Sequence, residues 1–302
     1  MLKNFSFFVY SILKLINKLF FFFTNRNFIP WINYFINFDS NKIVTIKGKK
    51  VFFFTPNNLT EWRVRTFVEK EPDTIEWINN FKTKQKIIFW DIGANIGTYS
   101  IYASIVHNNK IETFAFEPSS SNLRVLSRNI YLNKMVNKIL INTLPLTNKK
   151  NLFLEMKELT FEEGLSLNTF GEKYNFEGKK FNIGNSYKIL GTTIDFLVEK
   201  KIMKVPDYIK IDVDGIEHLI LEGGKKTLKN KKIKSILVEI NENFYEQKHK
   251  VNKIMKLSGF KLSKKMTDKN IQSSKKFQKH IIIFMKEKEN LYNLYKQKGY
   301  FK

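Results

Sequence analysis

The chain is 302 residues long, enough for one substantial domain with additions. Its 52 lysines and arginines against 28 acids leave a net charge of +24, which suits an anionic partner. Cysteine is absent, which excludes disulfides, thiolate zinc sites, cysteine nucleophiles and iron–sulfur radical chemistry. Only five of the bases are arginine (Arg26, Arg63, Arg65, Arg124, Arg128), whereas bidentate reading of phosphates or bases favours arginine. Lysine beside abundant asparagine, isoleucine and phenylalanine fits an AT-rich coding bias as well as an anionic partner such as a membrane surface.

Residues 1–40 form an apolar N-terminal segment. Within residues 5–23, Lys14, Asn17, Lys18 and Ser11 fall on one side of a helix whose other face is wide and apolar. A transmembrane helix needs ~20 residues nearly free of charge, and a cleavable signal ends on small residues, which Phe20 to Phe23 do not supply. The pattern points to an in-plane helix at a membrane surface, with packing against the domain or a partner, and then a true span or signal, as the alternatives. Residues 41–85 read as a β-hairpin around Lys47-Gly48-Lys49-Lys50, then helix from Thr60 to Phe81 broken at Pro72. This cap places Arg65 and Glu71 near a substrate or on a solvated helix face.

Residues 86–286 form the main domain. Ile87 to Trp90 is an apolar strand buried on both faces, closed by Asp91; Gly93 and Gly97 punctuate a tight loop before a helix opening at Thr98. The spacing Asp-x-Gly-x-x-x-Gly leaves less room for a pyrophosphate than Gly-x-Gly-x-x-Gly and disfavours a nicotinamide cofactor. Glu117 closes a second strand twenty residues after Gly97, where a ribose diol is held. Ser119 to Leu132 is an amphipathic helix, Ile139 to Ile141 a third strand followed by Asn142, and Asn151 to Glu155 an extra strand. Residues 161–185 read as an insertion over the catalytic face. A helix starts near Thr193, Tyr208 to Ile211 is the fourth strand, closed by Asp212, and a helix is expected from Ile216 to Leu228. Ile236 to Ile240, Gly259 to Leu262 and His280 to Met285 complete seven strands. The pattern predicts an α/β, Rossmann-like doubly wound sheet with a C-terminal antiparallel hairpin and an N-terminal helical and hairpin extension. Residues 287–302 read as a polar helix or frayed tail.

Asp91-Ile-Gly-Ala-Asn-Ile-Gly97 with Phe116-Glu117-Pro118 resembles the cofactor site of class I S-adenosylmethionine (SAM)-dependent methyltransferases. Thr192-Thr-Ile-Asp195, Asp207-Tyr-Ile-Lys-Ile-Asp212-Val-Asp214-Gly215-Ile-Glu217 and Leu237-Val-Glu239-Ile-Asn241 are similar to the FkbM-type family of these enzymes. The resemblance covers about Thr55 to Asn243. It implies SAM as cofactor, held by Asp91, Gly93, Asn95, Gly97, Glu117 and, at the adenine side, Asn142. It also implies O-methylation, commonly of sugar hydroxyls on glycans or natural products.

A hydroxyl acceptor needs its proton removed, by a carboxylate or through a divalent cation held by carboxylates. The candidates are Asp212 first, then Asp214, Glu217 and Glu239. His218 is a further candidate base, against the bland reading of a packed helical histidine, and Asp212 with Glu239 is a candidate metal pair. The leading expectation is a SAM-dependent O-methyltransferase acting on a glycan or glycolipid in the cytoplasm, peripheral on the inner membrane. RNA methylation is the alternative that +24 invites; scarce arginine and the absence of an Asn-Pro-Pro-Tyr-type motif weigh against nucleic acid. A non-catalytic, membrane-associated SAM-fold binding protein is the other alternative.

Overall fold

The computed structural model describes residues 1–82, 84–181, 184–267 and 279–286. The expectation for residues 287–302 lies outside them. Two helices open the chain, α1 (Leu2–Thr24) and α2 (Ile29–Asp39), followed by the antiparallel pair β1 (Asn41–Ile46) and β2 (Lys49–Phe54). Helices α3 (Asn58–Lys70) and α4 (Pro72–Asn79) come next, broken where Pro72 removes a backbone donor. Asn57 starts α3 with a reciprocal cap: its side chain accepts from Thr60 N at 2.8 Å while the Thr60 hydroxyl faces the Asn57 backbone.

The main domain alternates β3 (Ile87–Ile92), α5 (Thr98–His107), β4 (Ile111–Phe116), α6 (Ser120–Leu132) and β5 (Ile139–Asn142). Then come β6 (Leu152–Glu158), β7 (Thr169–Phe170), β8 (Asn185–Gly191), α7 (Ile194–Glu199), β9 (Tyr208–Ile211), α8 (Glu217–Glu222), β10 (Ser235–Asn241), α9 (Tyr245–Leu257), β11 (Phe260–Thr267) and β12 (Lys279–Lys286). The seven-stranded sheet runs β11-β12-β10-β9-β3-β4-β5, parallel from β10 to β5, with β12 antiparallel to both of its neighbours. The chain order reverses between β3 and β9, which opens the crevice for ligands beyond the carboxyl ends of those strands. The expected doubly wound sheet and C-terminal hairpin are both present.

Two features depart from expectation. β6, β7 and β8 make a separate three-stranded antiparallel sheet: β6 covers the extra strand expected near residues 151–155, β7 is a short strand within the expected insertion, and β8 (Asn-Ser-Tyr-Lys-Ile-Leu-Gly), not expected as a strand, carries alternating burial that its polar residues conceal. The helix expected over Ile216–Leu228 stops at Glu222. A Cβ on Gly223 would come within 2.1 Å of the Thr147 carbonyl oxygen, so the chain there is held by a close backbone approach rather than continued helix.

The cap is bonded to the sheet's underside by aromatics. Trp77 and Phe81 meet Phe89 and Tyr208, with the Phe81 and Tyr208 rings stacked 3.9 Å apart between centroids. Trp77 Nε1 donates to Ser235 Oγ at 2.9 Å, and Tyr208 Oη bonds both the N–H and the carbonyl of Lys82. Phe89 is wholly buried at the centre of this cluster. We expect Phe89→Ala to destabilise the fold by about 3–5 kcal/mol, by lost burial and a residual cavity. A urea midpoint unchanged in that variant would show that the cap is not part of the core.

Candidate active site

One cavity occupies the crevice, and its lining divides by element. The β3–α5 loop contributes Gly93, Ala94 and Asn95; the tip of β4 contributes Glu117; the tips of β9 and β10 contribute Asp212, Asp214 and Glu239. Leu144 to Leu146 wall one side and α3 walls the outer end with Trp62, Arg63 and Lys70.

The loop is shaped by close approach. Gly93 has φ +83°, and a Cβ there would fall 1.8 Å from the Asp212 carbonyl oxygen. No side chain fits, and the loop therefore lies directly against the β9 tip. Glu117 is buried, with Oε2 accepting from Asn95 N at 2.8 Å and Oε1 from Ser119 N at 2.9 Å. The Asn122 side chain adds a further hydrogen bond to this carboxylate. Burial pushes its carboxyl up to about 7 despite these backbone donors.

Beneath the cavity lies a buried charge cluster. Asp91 and Lys210 are paired residues of the parallel strands β3 and β9. Lys210 Nζ is 2.8 Å from Asp212 Oδ2, 3.8 Å from Asp91 Oδ1, and 5.0 Å from the centroid of the Tyr99 ring. Burial opposes the charge on Lys210, but Asp212, Asp91 and Glu71 overcome it and raise its pKa. Burial raises Asp91, whose Oδ2 accepts from Ser100 Oγ at 2.6 Å.

The predicted residues divide accordingly. Gly93, Asn95, Glu117, Asp212, Asp214 and Glu239 line one cavity. Asp91 does not: it is wholly buried under the loop, engaged with Ser100 and Lys210. Gly97 opens α5 at φ +88° and its missing Cβ makes room for Leu126, a packing role rather than a ligand contact. Asn142 turns away, its side chain occupied by Met203 Sδ and the Leu144 N–H, so Leu144 to Leu146 take the wall assigned to it. His218 is also outside: it is fully buried, Nε2 lies 3.4 Å from the Tyr174 hydroxyl, and burial lowers its pKa to about 4. The packed-histidine reading holds. Asp214, at φ +63°, spends Oδ2 on the Leu167 N–H at 2.7 Å. Among the described residues no three His, Asp or Glu side chains gather as a metal-ligand group, so Asp212 and Glu239 have no third protein ligand there.

Several contributors escaped the sequence reading. Lys210 is signalled only by a charge inside an otherwise apolar strand, and residues 163–168 carry no signal of their own; of the two cap residues offered as substrate contacts, Glu71 lines the cavity. Arg63, not Arg65, reaches the cavity. Residues 163–168 form a strap across it: Gly164 N donates to Asn122 Oδ1 at 2.8 Å, Arg63 Nε donates to the Gly164 carbonyl, and Asn95 and Asn122 each donate to the Leu165 carbonyl at 3.0 Å. Glu217, expected as a catalytic acid, instead shapes the turn after β9 by accepting from Val213 N and Gly215 N, with Gln247 donating to its other side.

A strand-loop-helix with this glycine spacing and an acid at the next strand tip defines a class I nucleoside-cofactor methyltransferase. The family model for the methyltransferase FkbM domain matches residues 91–287, and the chain belongs to this family of SAM-dependent methyltransferases. Among curated proteins it is similar to the hexuronic acid methyltransferase AglP of Haloferax volcanii, 28% identical over 189 residues that cover 62% of this chain and 70% of that one. Among solved structures it is similar to the methyltransferase FkbM of Methylobacillus flagellatus (14% identity, TM-score 0.44, covering 75% of this chain and 55% of that one). It is also similar to the precorrin-6y C5,15-methyltransferase of Geobacter metallireducens (14% identity, TM-score 0.40, covering 72% and 87%).

Glu117 and Glu217 are both raised to about 7 by burial, above the carboxylate value of the unfolded chain. The folded state therefore holds protons that unfolding releases. Their contribution to stability is full below about pH 4.5 and is lost as pH rises through 7, by at most on the order of 3 kcal/mol each. Urea midpoints at pH 5.5 and 8 are expected to differ less in Glu217→Gln than in the native chain; an unchanged gap would mean Glu217 is ionised throughout.

Proposed function

We propose that the chain transfers the methyl group of SAM to a sugar hydroxyl of a glycan or glycolipid. The observation that carries this reading is the buried Glu117 carboxylate beside the Gly93 turn, in one cavity with Asp212 and Glu239. The similarity to the Haloferax hexuronic acid methyltransferase supports a sugar acceptor.

The residues fit the cofactor. The Glu117 carboxylate at the cavity wall suits the hydroxyls of a ribose, the Gly93–Asn95 backbone gives close approach, and Leu144 to Leu146 offer an apolar wall to an adenine. When bound, the sulfonium supplies an electrophilic methyl group. The protein's work is then alignment, water exclusion and proton removal. The strap and α3 close the cavity over the acceptor, with the half-exposed Trp62 ring as a platform for a sugar face. Asp212, oriented by Lys210 through Oδ2, takes the hydroxyl proton as that oxygen gains the methyl group. Glu71 and Glu239 flank the same end.

The chain divides by task in this reading. Residues 86–286 carry the chemistry, 41–85 cap the acceptor end, and 1–40 address a membrane. The enzyme works in the cytoplasm, held peripherally on the inner membrane through residues 5–23.

S-adenosylhomocysteine is expected to bind in calorimetry with micromolar affinity, and Glu117→Gln to weaken it at least tenfold. Ribose hydroxyls bond the ionised carboxylate, so binding releases protons near pH 7 and affinity falls as pH drops below 7. Affinity independent of pH would remove Glu117 from the ribose site. Asp212→Asn should keep this affinity while kcat on a sugar acceptor falls about 10²–10⁴-fold, as for loss of a general base. Full turnover in that variant would assign the proton elsewhere.

A further inference from the structure

Helix α1 is 23 residues long, and none of them is buried. By length and composition it is apolar enough to cross a membrane. Its charges are nonetheless confined to one side, a side that Phe7, Tyr10 and Phe21 share. Phe5, Phe8, Ile12, Leu15, Leu19 and Phe23 recur every three or four residues along one stripe, exposed by 44–80%. At 100° per residue, Lys3, Lys14 and Lys18 project from the opposite side.

A spanning orientation would put Lys14 near the mid-plane, at a cost that a charge in hydrocarbon makes severe. Water is no better a neighbour, because a stripe of this size far exceeds what a soluble monomer exposes. Lying in the interface satisfies both sides: the stripe enters the acyl boundary and the ammonium groups stay in water.

Helix α2 continues the surface. Trp31, Tyr34, Phe35 and Phe38 are exposed at spacing i, i+3, i+4, i+7. Tryptophan and tyrosine are the residues that settle at headgroup level. The two helices form one unit, since Asn17 Oδ1 accepts from Phe28 N at 2.9 Å at the start of α2 and the Phe20 and Phe28 rings meet edge to face. The unit is clamped to the catalytic domain. Arg128 donates to the Asn37 carbonyl at 2.8 Å, and Arg124 bridges Asn37 Oδ1 at 3.1 Å and Glu163 Oε1 at 2.6 Å on the strap.

We infer that α1 and α2 dock together as an in-plane hairpin on an anionic bilayer, and that the Asn37–Arg124–Glu163 bridge holds the acceptor end of the cavity beside that bilayer. The surplus of lysine supplies the charge complementarity, each such residue near an anionic surface adding to attraction that salt screens. A second copy or a protein partner would cover the same stripe without needing anionic lipid. Docking does not depend on which acceptor is methylated, and S-adenosylhomocysteine calorimetry tests the catalytic reading separately.

The cysteine-free chain makes the test clean. Full-length Ile12→Cys and Lys14→Cys are each labelled with a polarity-sensitive fluorophore and mixed with vesicles of phosphatidylcholine, with and without phosphatidylglycerol. The inference expects a blue shift at position 12, none at position 14, and at least a tenfold stronger response with phosphatidylglycerol. Equal shifts at both positions would mean a spanning helix and overturn in-plane docking. No shift at position 12 on either vesicle, with the chain eluting as an oligomer or a monomer, would overturn a lipid partner altogether.

Discussion

The site depends on one ammonium group buried between two strands. Lys210 faces Asp91 across the parallel β3–β9 pair and reaches up to Asp212, so a single side chain ties the glycine loop's supporting strand to an acid that lines the cavity. A lone buried charge would cost several kcal/mol, and a carboxylate on each side is what makes it tolerable. The arrangement also explains why Asp91 is needed although it lines nothing: with Ser100 it holds the floor on which the Gly93 turn rests. Removing Asp91 would leave Lys210 partly uncompensated and loosen the ammonium that orients Asp212.

The positions of the acids follow from that floor. Four strand-tip acids look equivalent in sequence, yet each has a different environment. Asp91 is below the loop, Glu117 is held by two backbone N–H groups in a desolvated corner, Asp212 is paired with the ammonium, and Glu239 lines the cavity farther along the sheet. Asp214 and Glu217, which the motif places beside Asp212, fasten loops: one holds the strap through Leu167, the other the turn through Val213 and Gly215. Carboxylates in one short motif thus line the cavity, hold the strap and shape the turn separately.

This division marks the limit of what the sequence discloses. Buried apolar strands such as Ile87–Trp90 and Ile236–Ile240 read clearly because both faces are covered, and the Asp-x-Gly-x-x-x-Gly loop reads clearly because only glycine tolerates the contact with Asp212. Strand β8 and the strap do not: β8 is ordered by pairing with β6 some thirty residues earlier, and Asn95, Asn122, Arg63 and Asp214, far away in the chain, hold residues 164–167. Asn142 and His218 were misplaced for a related reason. Proximity to a motif along the chain says nothing about whether a side chain faces the crevice or the far side of the sheet.

Surface and cavity carry opposite charge, and this separates the protein's two proposed partners. Outside, lysine prevails and the net charge is +24. Inside, Glu71, Glu117, Asp212, Asp214 and Glu239 outnumber Arg63, Lys70 and Lys210. An anionic bilayer is attracted to the first and repelled by the second, so the same lysine-rich composition that favours docking does not draw phosphate headgroups into the pocket. A sulfonium, by contrast, is favoured by the acidic interior and loses that attraction once its methyl group has left. Under the proposed reading the interior therefore prefers the charged donor to its neutral product, which assists exchange of one for the other without any change in the contacts made to the nucleoside.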